Sequence, residues 1–107
     1  MKEVEMNKEM KLSEHFSLGE LCKTSYKTAD GNIPSRVVIE NLRNLCENWL
    51  EDLRYSYNTL YHEMPIIINS GYRSPEVNRL AGGSPTSNHL TGCAVDILAI
   101  ACYDLSE

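Results

Sequence analysis

A long amphipathic pattern from Ser35 to about Tyr57 does most to constrain how this chain can fold. Apolar residues recur there at steps of four, three, four and four positions, at Val38, Leu42, Leu45, Trp49 and Leu53. This spacing predicts one long helix with a single apolar stripe, because polar residues fill its other faces. We interpret the stripe as core, with Trp49 as its main packing residue.

Two short runs rich in β-branched or apolar residues predict strands. Residues 65–69, Pro-Ile-Ile-Ile-Asn, are typical of a strand that is buried on both faces. Residues 93–100, Cys-Ala-Val-Asp-Ile-Leu-Ala-Ile, form a second apolar run with a single charge, Asp96, inside it. Between these runs Ser74 predicts the N-cap of a short helix, with Pro at its first position and two glycines at its end.

Length and composition limit the class of protein. The 107 residues suffice for one small domain, which we place at residues 12–107, after a polar and flexible leader at residues 1–11. The formal net charge of −5, without a basic block, argues against a nucleic-acid surface. No apolar run approaches the ~18 residues of a membrane span. The charged N-terminus is unlike a secretory signal, so we expect synthesis in the cytoplasm.

The cysteines and two of the histidines have plain structural interpretations. The cysteines are Cys22, Cys46, Cys93 and Cys102, and none forms a Cys-x-x-Cys pair. Without a secretory signal we expect them to be reduced and buried rather than joined in disulfides or bound to zinc. We expect His15 to be a packing or capping residue, and His62 to lie at the surface.

Asp96 is the charge that its apolar surroundings do not explain. An unpaired buried carboxylate is unfavourable, so Asp96 needs an arginine, backbone donors or a metal as a partner. His89 lies seven positions upstream, and Gly92 between them offers a turn by which both side chains can reach one ion. A His and an Asp favour zinc over calcium. The residues alone leave equally open a metal-free core, in which Asp96 contacts His89 or pairs with Arg73.

Arg73 and Ser87 are candidate substrate-binding residues. Arg73 follows a predicted strand directly, on the turn before a helix, where its guanidinium can bind a carboxylate through two parallel hydrogen bonds. It can equally be a surface residue or a structural partner of Asp96. Ser87 lies two positions before His89. It can bind substrate, orient a ligand, or simply shape the loop.

Residues 87–96, Ser-Asn-His-Leu-Thr-Gly-Cys-Ala-Val-Asp, resemble a known family signature, Ser-x-His-x-x-Gly-x-Ala-x-Asp. It belongs to the zinc D-alanyl-D-alanine carboxypeptidases and the related L-alanyl-D-glutamate endopeptidases, which share the hedgehog/DD-peptidase fold. Residues 68–74 resemble the upstream segment of that family, and residues 13–16 with the long helix resemble its phage- and prophage-type members. The resemblance implies an α+β fold, in which a small antiparallel sheet packs against a long helix.

The resemblance also implies roles for individual residues. His89 and Asp96 would be two of three zinc ligands, Arg73 would bind the carboxylate of a peptidoglycan stem peptide, and Ser87 would line the site. The zinc would polarise the scissile carbonyl and activate a water molecule, with an acidic residue as the general base. Such an enzyme of the lysis type would act at the bacterial cell wall.

One part of the family pattern has no counterpart after Asp96. The third zinc ligand is a His in a Trp-x-His strand near the C-terminus, just after the catalytic acid, whereas this chain continues with only Asp104 and Glu107 as acids. We therefore expect a truncated domain that lacks its C-terminal strands and a catalytic base, with weak or absent zinc and impaired activity. Its open sheet edge would permit self-association. The alternative is a non-catalytic remnant that binds wall peptide or a protein partner.

Overall fold

The computed structural model describes residues 6–61 and 66–99. The helices are α1 (Leu18–Leu21), α2 (Arg36–Leu45), a π-helical turn (Cys46–Leu50), α3 (Glu51–Tyr61), α4 (Pro75–Leu80) and a 3₁₀ helix (Asn88–Thr91). The strands are β1 (Ile66–Ser70) and β2 (Asp96–Ala99), which pair in an antiparallel sheet. The fold class is therefore α+β, as predicted. Within the described ranges no helix has the length and apolar character that crossing a membrane requires.

The predicted long helix is observed, but its middle is wound differently. Ser35 is its N-cap, since the Ser35 hydroxyl accepts a hydrogen bond from the Val38 N–H at 3.3 Å. Helices α2 and α3 are joined without a break by the π-helical turn. There the Glu51 N–H donates to the carbonyl of Cys46, five positions back, so one turn of the helix contains an additional residue.

The π-helical turn changes which face of the helix is buried. The residues buried in the core are spaced by four positions, at Val38, Leu42, Cys46 and Leu50. The prediction that Trp49 is the main packing residue is wrong, because Trp49 is 68% exposed. The wider turn shifts the buried face by one position, from Trp49 to Leu50.

The N-terminal segment packs against α1 and the core. Ser17 and Glu20 form the capping box that their spacing indicates, with each side chain accepting from the other residue's N–H. Two backbone carbonyls from the segment expected to be a flexible leader also accept hydrogen bonds from α1. Met10 accepts from the Leu18 N–H at 2.8 Å, and Lys8 accepts from the Gly19 N–H at 2.9 Å. Lys8 and Met10 are therefore hydrogen-bonded to α1, while residues 1–5 lie outside the described residues. The boundary expected at residue 12 stays a prediction.

One core joins these elements. It contains apolar side chains from the N-terminal segment, the long helix, β1 and the loop after β1: Leu12, Phe16, Leu18, Leu21, Cys22, Val38, Leu42, Cys46, Leu50, Ile68 and Tyr72. Val95 and Ile97, before and within β2, pack against its margin. The sheet and the long helix are thus held by shared core contacts.

The strand after the long helix has one buried face rather than the two predicted. Ile66 and Ile68 are buried, whereas Ile67 is half-buried and Asn69 is exposed. Alternation follows from the sheet itself, because in the described residues it has only the strands β1 and β2 and the core covers one side of it. The register contains an irregularity between Ile68 and Ser70, beyond which Ser70 faces Asp96.

The cysteines divide into two environments. Cys22 and Cys46 are buried, as predicted, and burial raises the pKa of each thiol to about 12, so both are uncharged at neutral pH. Cys93 is exposed, and the prediction of burial is wrong for it because it lies in the irregular segment before β2. Cys102 lies outside the described residues.

Candidate active site

Three of the predicted site residues meet at the end of the sheet. The Nε2 atom of His89 lies 3.4 Å from the Oδ2 atom of Asp96. The Nη2 atom of Arg73 lies 3.5 Å from the same oxygen. The side chains of His89 and Arg73 are only 12% and 18% exposed, whereas that of Asp96 is 58% exposed. Two largely buried basic groups therefore contact a carboxylate that remains open to solvent.

The sequence neighbours of Asp96 suggested that it is buried within an apolar strand. The structure shows that this prediction is wrong. Strand β2 begins at Asp96, so the residue lies at the end of the sheet, opposite Ser70 and next to the register irregularity. The carboxylate consequently keeps much of its hydration. Because the carboxylate is not buried, it does not need His89 and Arg73 to neutralise its charge.

A hydrogen bond to the backbone fixes the orientation of the His89 ring. Its Nδ1 atom lies 2.7 Å from the carbonyl oxygen of Gly71. A carbonyl oxygen only accepts, so Nδ1 carries the proton. In a neutral imidazole the lone pair then lies on Nε2, which is the atom that faces Asp96. Metal-binding histidines commonly make such a bond from their second ring nitrogen.

The separation of His89 and Asp96 fits two ligands of one cation. A lone pair on Nε2 and a carboxylate oxygen repel each other unless a proton or a cation lies between them. Zinc binds nitrogen and oxygen at ~2.0–2.2 Å in tetrahedral geometry, which sets two of its ligand atoms about 3.3–3.5 Å apart. The observed 3.4 Å between Nε2 and Oδ2 lies in that range.

The Arg73 guanidinium is held on three sides. Nε donates to the Ser70 hydroxyl at 3.0 Å, Nη1 donates to the Asn78 side-chain oxygen at 3.4 Å, and Nη2 faces Asp96. A Cβ atom at Gly83 would lie 3.0 Å from Nη1, so the absence of a side chain there makes room for the guanidinium. Arg73 also lines a pocket of about 170 Å³, together with Lys23 and other residues. All three guanidinium nitrogens thus have partners within the protein, and the binding of a substrate carboxylate by Arg73 stays a prediction.

Comparison with protein families places this chain in a known group. Residues 14–105 match the family described as Peptidase M15. The chain belongs to the peptidase M15 family. The match covers both Arg73 and the His89–Asp96 pair, and M15 members are metallopeptidases. Searches of curated proteins and of solved structures gave no significant match. The narrower assignment to carboxypeptidases, or to phage-type members, stays a prediction.

In the described part of this M15 domain, His89 and Asp96 are the two candidate metal ligands that lie together at the site. Residues 6–61 and 66–99 contain no cluster of three or more His, Cys, Asp or Glu side chains suited to a metal. His15 has the structural role predicted for it, since its Nδ1 atom lies 2.7 Å from the Glu51 carboxylate. His62, Asp104 and Glu107 lie outside the described residues.

Two backbone features hold the His89 segment of the M15 domain. The Ser87 hydroxyl accepts a hydrogen bond from the His89 N–H at 3.1 Å and caps the 3₁₀ helix, which supports the orienting role considered for it. Contact between Ser87 and substrate stays a prediction. Gly92 ends the helix with a φ of +78°, and a Cβ atom there would lie 2.9 Å from the carbonyl oxygen of Val38. The turn expected at Gly92 is confirmed, and it needs glycine.

The sequence analysis missed two buried asparagines that support Arg73. Asn78 accepts from the guanidinium and donates to the Ser84 carbonyl at 2.8 Å. Asn32 bonds to the residues on either side of Arg73 in the chain. The Asp-Gly-Asn sequence at residues 30–32 predicts only a tight turn. Nothing local reveals a partner 40 or 42 positions away.

Proposed function

We propose that this M15 domain acts as a zinc-dependent peptidase on the peptide stems of bacterial peptidoglycan, with the cell wall as its site of action. The observation that carries the proposal is the convergence on one oxygen of Asp96, with His89 Nε2 at 3.4 Å and Arg73 Nη2 at 3.5 Å. Membership of the M15 family supports the peptidase chemistry. The largely buried Arg73 supports a substrate with a carboxylate beside the scissile bond.

Each residue has a distinct part in this proposal. His89 and Asp96 would hold the zinc, which when bound polarises a carbonyl and lowers the pKa of water. The Gly71 carbonyl keeps the proton on Nδ1 of His89, so that Nε2 remains a donor to the metal. Arg73 would bind the substrate carboxylate, and Ser87 orients His89 through its backbone N–H.

The proposal requires a third zinc ligand and a general base. The described residues contain no third ligand grouped with His89 and Asp96, so that ligand must come from beyond residues 6–61 and 66–99 or from a second chain. We expect the general base to come from the same source. Catalytic zinc sites use three protein ligands and a water molecule. We therefore expect His89 and Asp96 alone to bind zinc weakly.

A second function is metal-free binding of wall peptide or of a protein partner. The contact between Arg73 and Asp96 favours it, because an arginine beside the carboxylate lowers the need for a cation there. In this reading His89 and Asp96 orient Arg73, and no peptide bond is cut. Zinc binding separates the two functions.

Zinc titration of the purified chain tests the proposal. We expect weak binding of one zinc per chain by isothermal titration calorimetry, and at least about a tenfold further loss of affinity in His89→Ala and in Asp96→Ala, since each removes a ligand. His15→Ala is the matched control, because it removes a histidine engaged with Glu51 and should leave zinc affinity unchanged.

Incubation with soluble muropeptides, followed by mass spectrometry, then tests for zinc-dependent cleavage. A folded chain that takes up no zinc, or equal zinc affinity in His89→Ala, would contradict the peptidase proposal for this chain. Binding of muropeptides that is unchanged by a chelator, without cleavage, would support the second function.

A further inference from the structure

Asn32 is a fully buried polar residue in an unusual backbone conformation. It is 1% exposed and lies in the loop between α1 and α2, with a φ of +54°. Among residues with side chains, asparagine is one of the few that commonly adopt this left-handed region. Its N–H donates to the Asp30 carboxylate at 3.0 Å, and Asp30 also accepts from the Thr28 hydroxyl at 2.5 Å. The loop therefore holds Asn32 with its side chain directed inward.

Every polar atom of the Asn32 side chain is hydrogen-bonded to backbone. Its Nδ2 atom donates to the carbonyls of Cys22 at 2.8 Å and Tyr72 at 3.2 Å. Its oxygen accepts from the Ser74 N–H at 2.7 Å. Tyr72 and Ser74 are the neighbours of Arg73 in the chain. One side chain thus fixes the backbone immediately before and immediately after the arginine.

The loop that carries Arg73, residues 71–74, also determines the orientation of His89. The Arg73 N–H donates to the His89 carbonyl at 3.0 Å, and the Gly71 carbonyl accepts from His89 Nδ1 at 2.7 Å. The Tyr72 N–H donates to the Leu21 carbonyl at 2.7 Å. A shift of this loop would therefore move the guanidinium and break the hydrogen bond between His89 Nδ1 and the Gly71 carbonyl together.

We propose that Asn32 is a positioning residue that fixes both Arg73 and the ring of His89, although its side chain hydrogen-bonds to backbone groups and to neither of those side chains. It acts by holding residues 72 and 74, which keeps Arg73 in place and presents the Gly71 carbonyl to His89. The positional claim stands on these hydrogen bonds, whereas its consequence for ligand binding rests on the proposed function.

The pattern of donors and acceptors explains why asparagine is required. Aspartate can accept from the Ser74 N–H but cannot, when ionised, donate to two carbonyls. Glycine tolerates the backbone conformation but leaves all three backbone groups without this partner. Asn32→Gly therefore removes the side-chain contacts while avoiding backbone strain. Asn32→Asp removes the two donations and turns a carboxylate oxygen toward the two carbonyls.

The test is the tautomer of His89, read from long-range ¹H–¹⁵N spectra of the metal-free full chain at a pH where the ring is neutral. The wild type should show a proton on Nδ1, and Asn32→Gly should show a mixture of tautomers. Glu51→Gln is the control, since it removes polar contacts remote from this loop and should leave the His89 spectrum unchanged. A folded Asn32→Gly chain with the wild-type tautomer would overturn the proposal.

Two further measurements test the proposal if Asn32→Gly does not fold. Asn32→Asp is then examined in the same way, with the same expected change. In the wild type the Ser74 amide should exchange with solvent as slowly as the slowest amides of α2, because its acceptor is the buried Asn32 side chain. Exchange of Ser74 at the rate of an exposed loop would also overturn it.

Ligand affinity separates failure of this proposal from failure of the proposed function. The probe is an N-acetylated dipeptide with a free carboxylate, compared with its amide. The wild type should prefer the carboxylate, and Asn32→Gly should lose at least about tenfold of that preference, which is the range for supporting contacts in such sites. A wild type without preference contradicts the role of Arg73 in substrate binding, while the His89 tautomer still decides the role of Asn32.

Discussion

At the scale of single residues, close backbone contacts determine where the site residues lie. A Cβ atom at Gly71 would lie 2.2 Å from the carbonyl oxygen of Leu21, so this loop can approach α1 only because residue 71 is glycine. Gly92 has the same function against α2, with a positive φ in addition. The carbonyl that orients His89 and the turn that leads to Asp96 both depend on these contacts.

Comparison of Gly92→Ala with Gly82→Ala should separate the free-energy cost of a steric contact from that of a strained backbone. Gly82 is a matched control, because it has the same φ of +78° but nothing within 4 Å of a Cβ atom. We expect Gly82→Ala to lower the free energy of unfolding by ~1–2 kcal/mol through backbone strain. Gly92→Ala should lose about 1–3 kcal/mol more through overpacking against Val38. Urea denaturation measures both, and equal losses would contradict the contact seen at Gly92.

Residue identities in the site were predictable, but their environments were not. Arg73, His89 and Asp96 stand in a spaced pattern that a sequence displays directly, and the structure brings them together. The exposure of Asp96 depends on where β2 begins. The role of Asn32 depends on a partner loop far along the chain. Both are properties of tertiary structure that neighbouring residues do not encode.

At the scale of elements, the long helix shows the limit of a periodic pattern. Its start near Ser35 and its buried face as far as Leu42 agree with the sequence, because an unbroken α-helical period holds over this part. Beyond Leu45 the π-helical turn changes the number of residues per turn. An analysis that assumes a constant period therefore selects Trp49 where the structure buries Leu50.

Substitution of these adjacent residues tests the position of the buried face. Leu50 is 2% exposed and Trp49 is 68% exposed. Leu50→Ala should lower the free energy of unfolding by ~2–5 kcal/mol by leaving a cavity in the core. Trp49→Ala should change it by no more than about 0.5 kcal/mol, because the ring is mostly in solvent. Chemical denaturation compares the two, and a larger loss at Trp49 would place the π-helical turn elsewhere.

At the scale of the whole molecule, Glu51 joins the N-terminal segment to the long helix. Its carboxylate accepts from the Ser13 hydroxyl at 2.6 Å and from the N–H and Nδ1 of His15, each at 2.7 Å. Burial acts to raise the pKa of Glu51, but these hydrogen bonds outweigh it, and the pKa is lowered below its ordinary value. The charged form is therefore the one that holds the two segments together.

Acid should weaken the connection that Glu51 makes between the N-terminal segment and the long helix. Because the pKa of Glu51 is lower in the folded than in the unfolded chain, its contribution is complete above the unfolded value, ordinarily about 4.5, and is lost as the pH falls through the folded value. Glu51→Gln should be less stable than the wild type at pH 7, by ~1–3 kcal/mol. The difference should shrink below pH 4.5. Thermal denaturation between pH 7 and 3 measures it, and a constant difference would contradict the assignment.

The fold class could be predicted from the sequence more firmly than the association or the location of the protein. The α+β class follows from one long amphipathic pattern and two short apolar runs, and the structure confirms it. Self-association through the sheet edge stays a prediction, as do the domain boundary at residue 12 and the cell-wall location. Self-association and location depend on partners outside the chain.

The contacts of the loop that carries Arg73 also set an order of events during synthesis. A ribosome makes the chain from its N-terminus, so Leu21 and Asn32 emerge before Gly71 and Arg73, and His89 emerges last of these. When residues 71–74 appear, their partners in α1 and the preceding loop are already present, but the acceptor of the Arg73 N–H is still to be translated. The arginine side of the site can therefore be fixed while the chain is growing. The pair formed by His89 and Asp96 can come together only after residue 96 has left the ribosome.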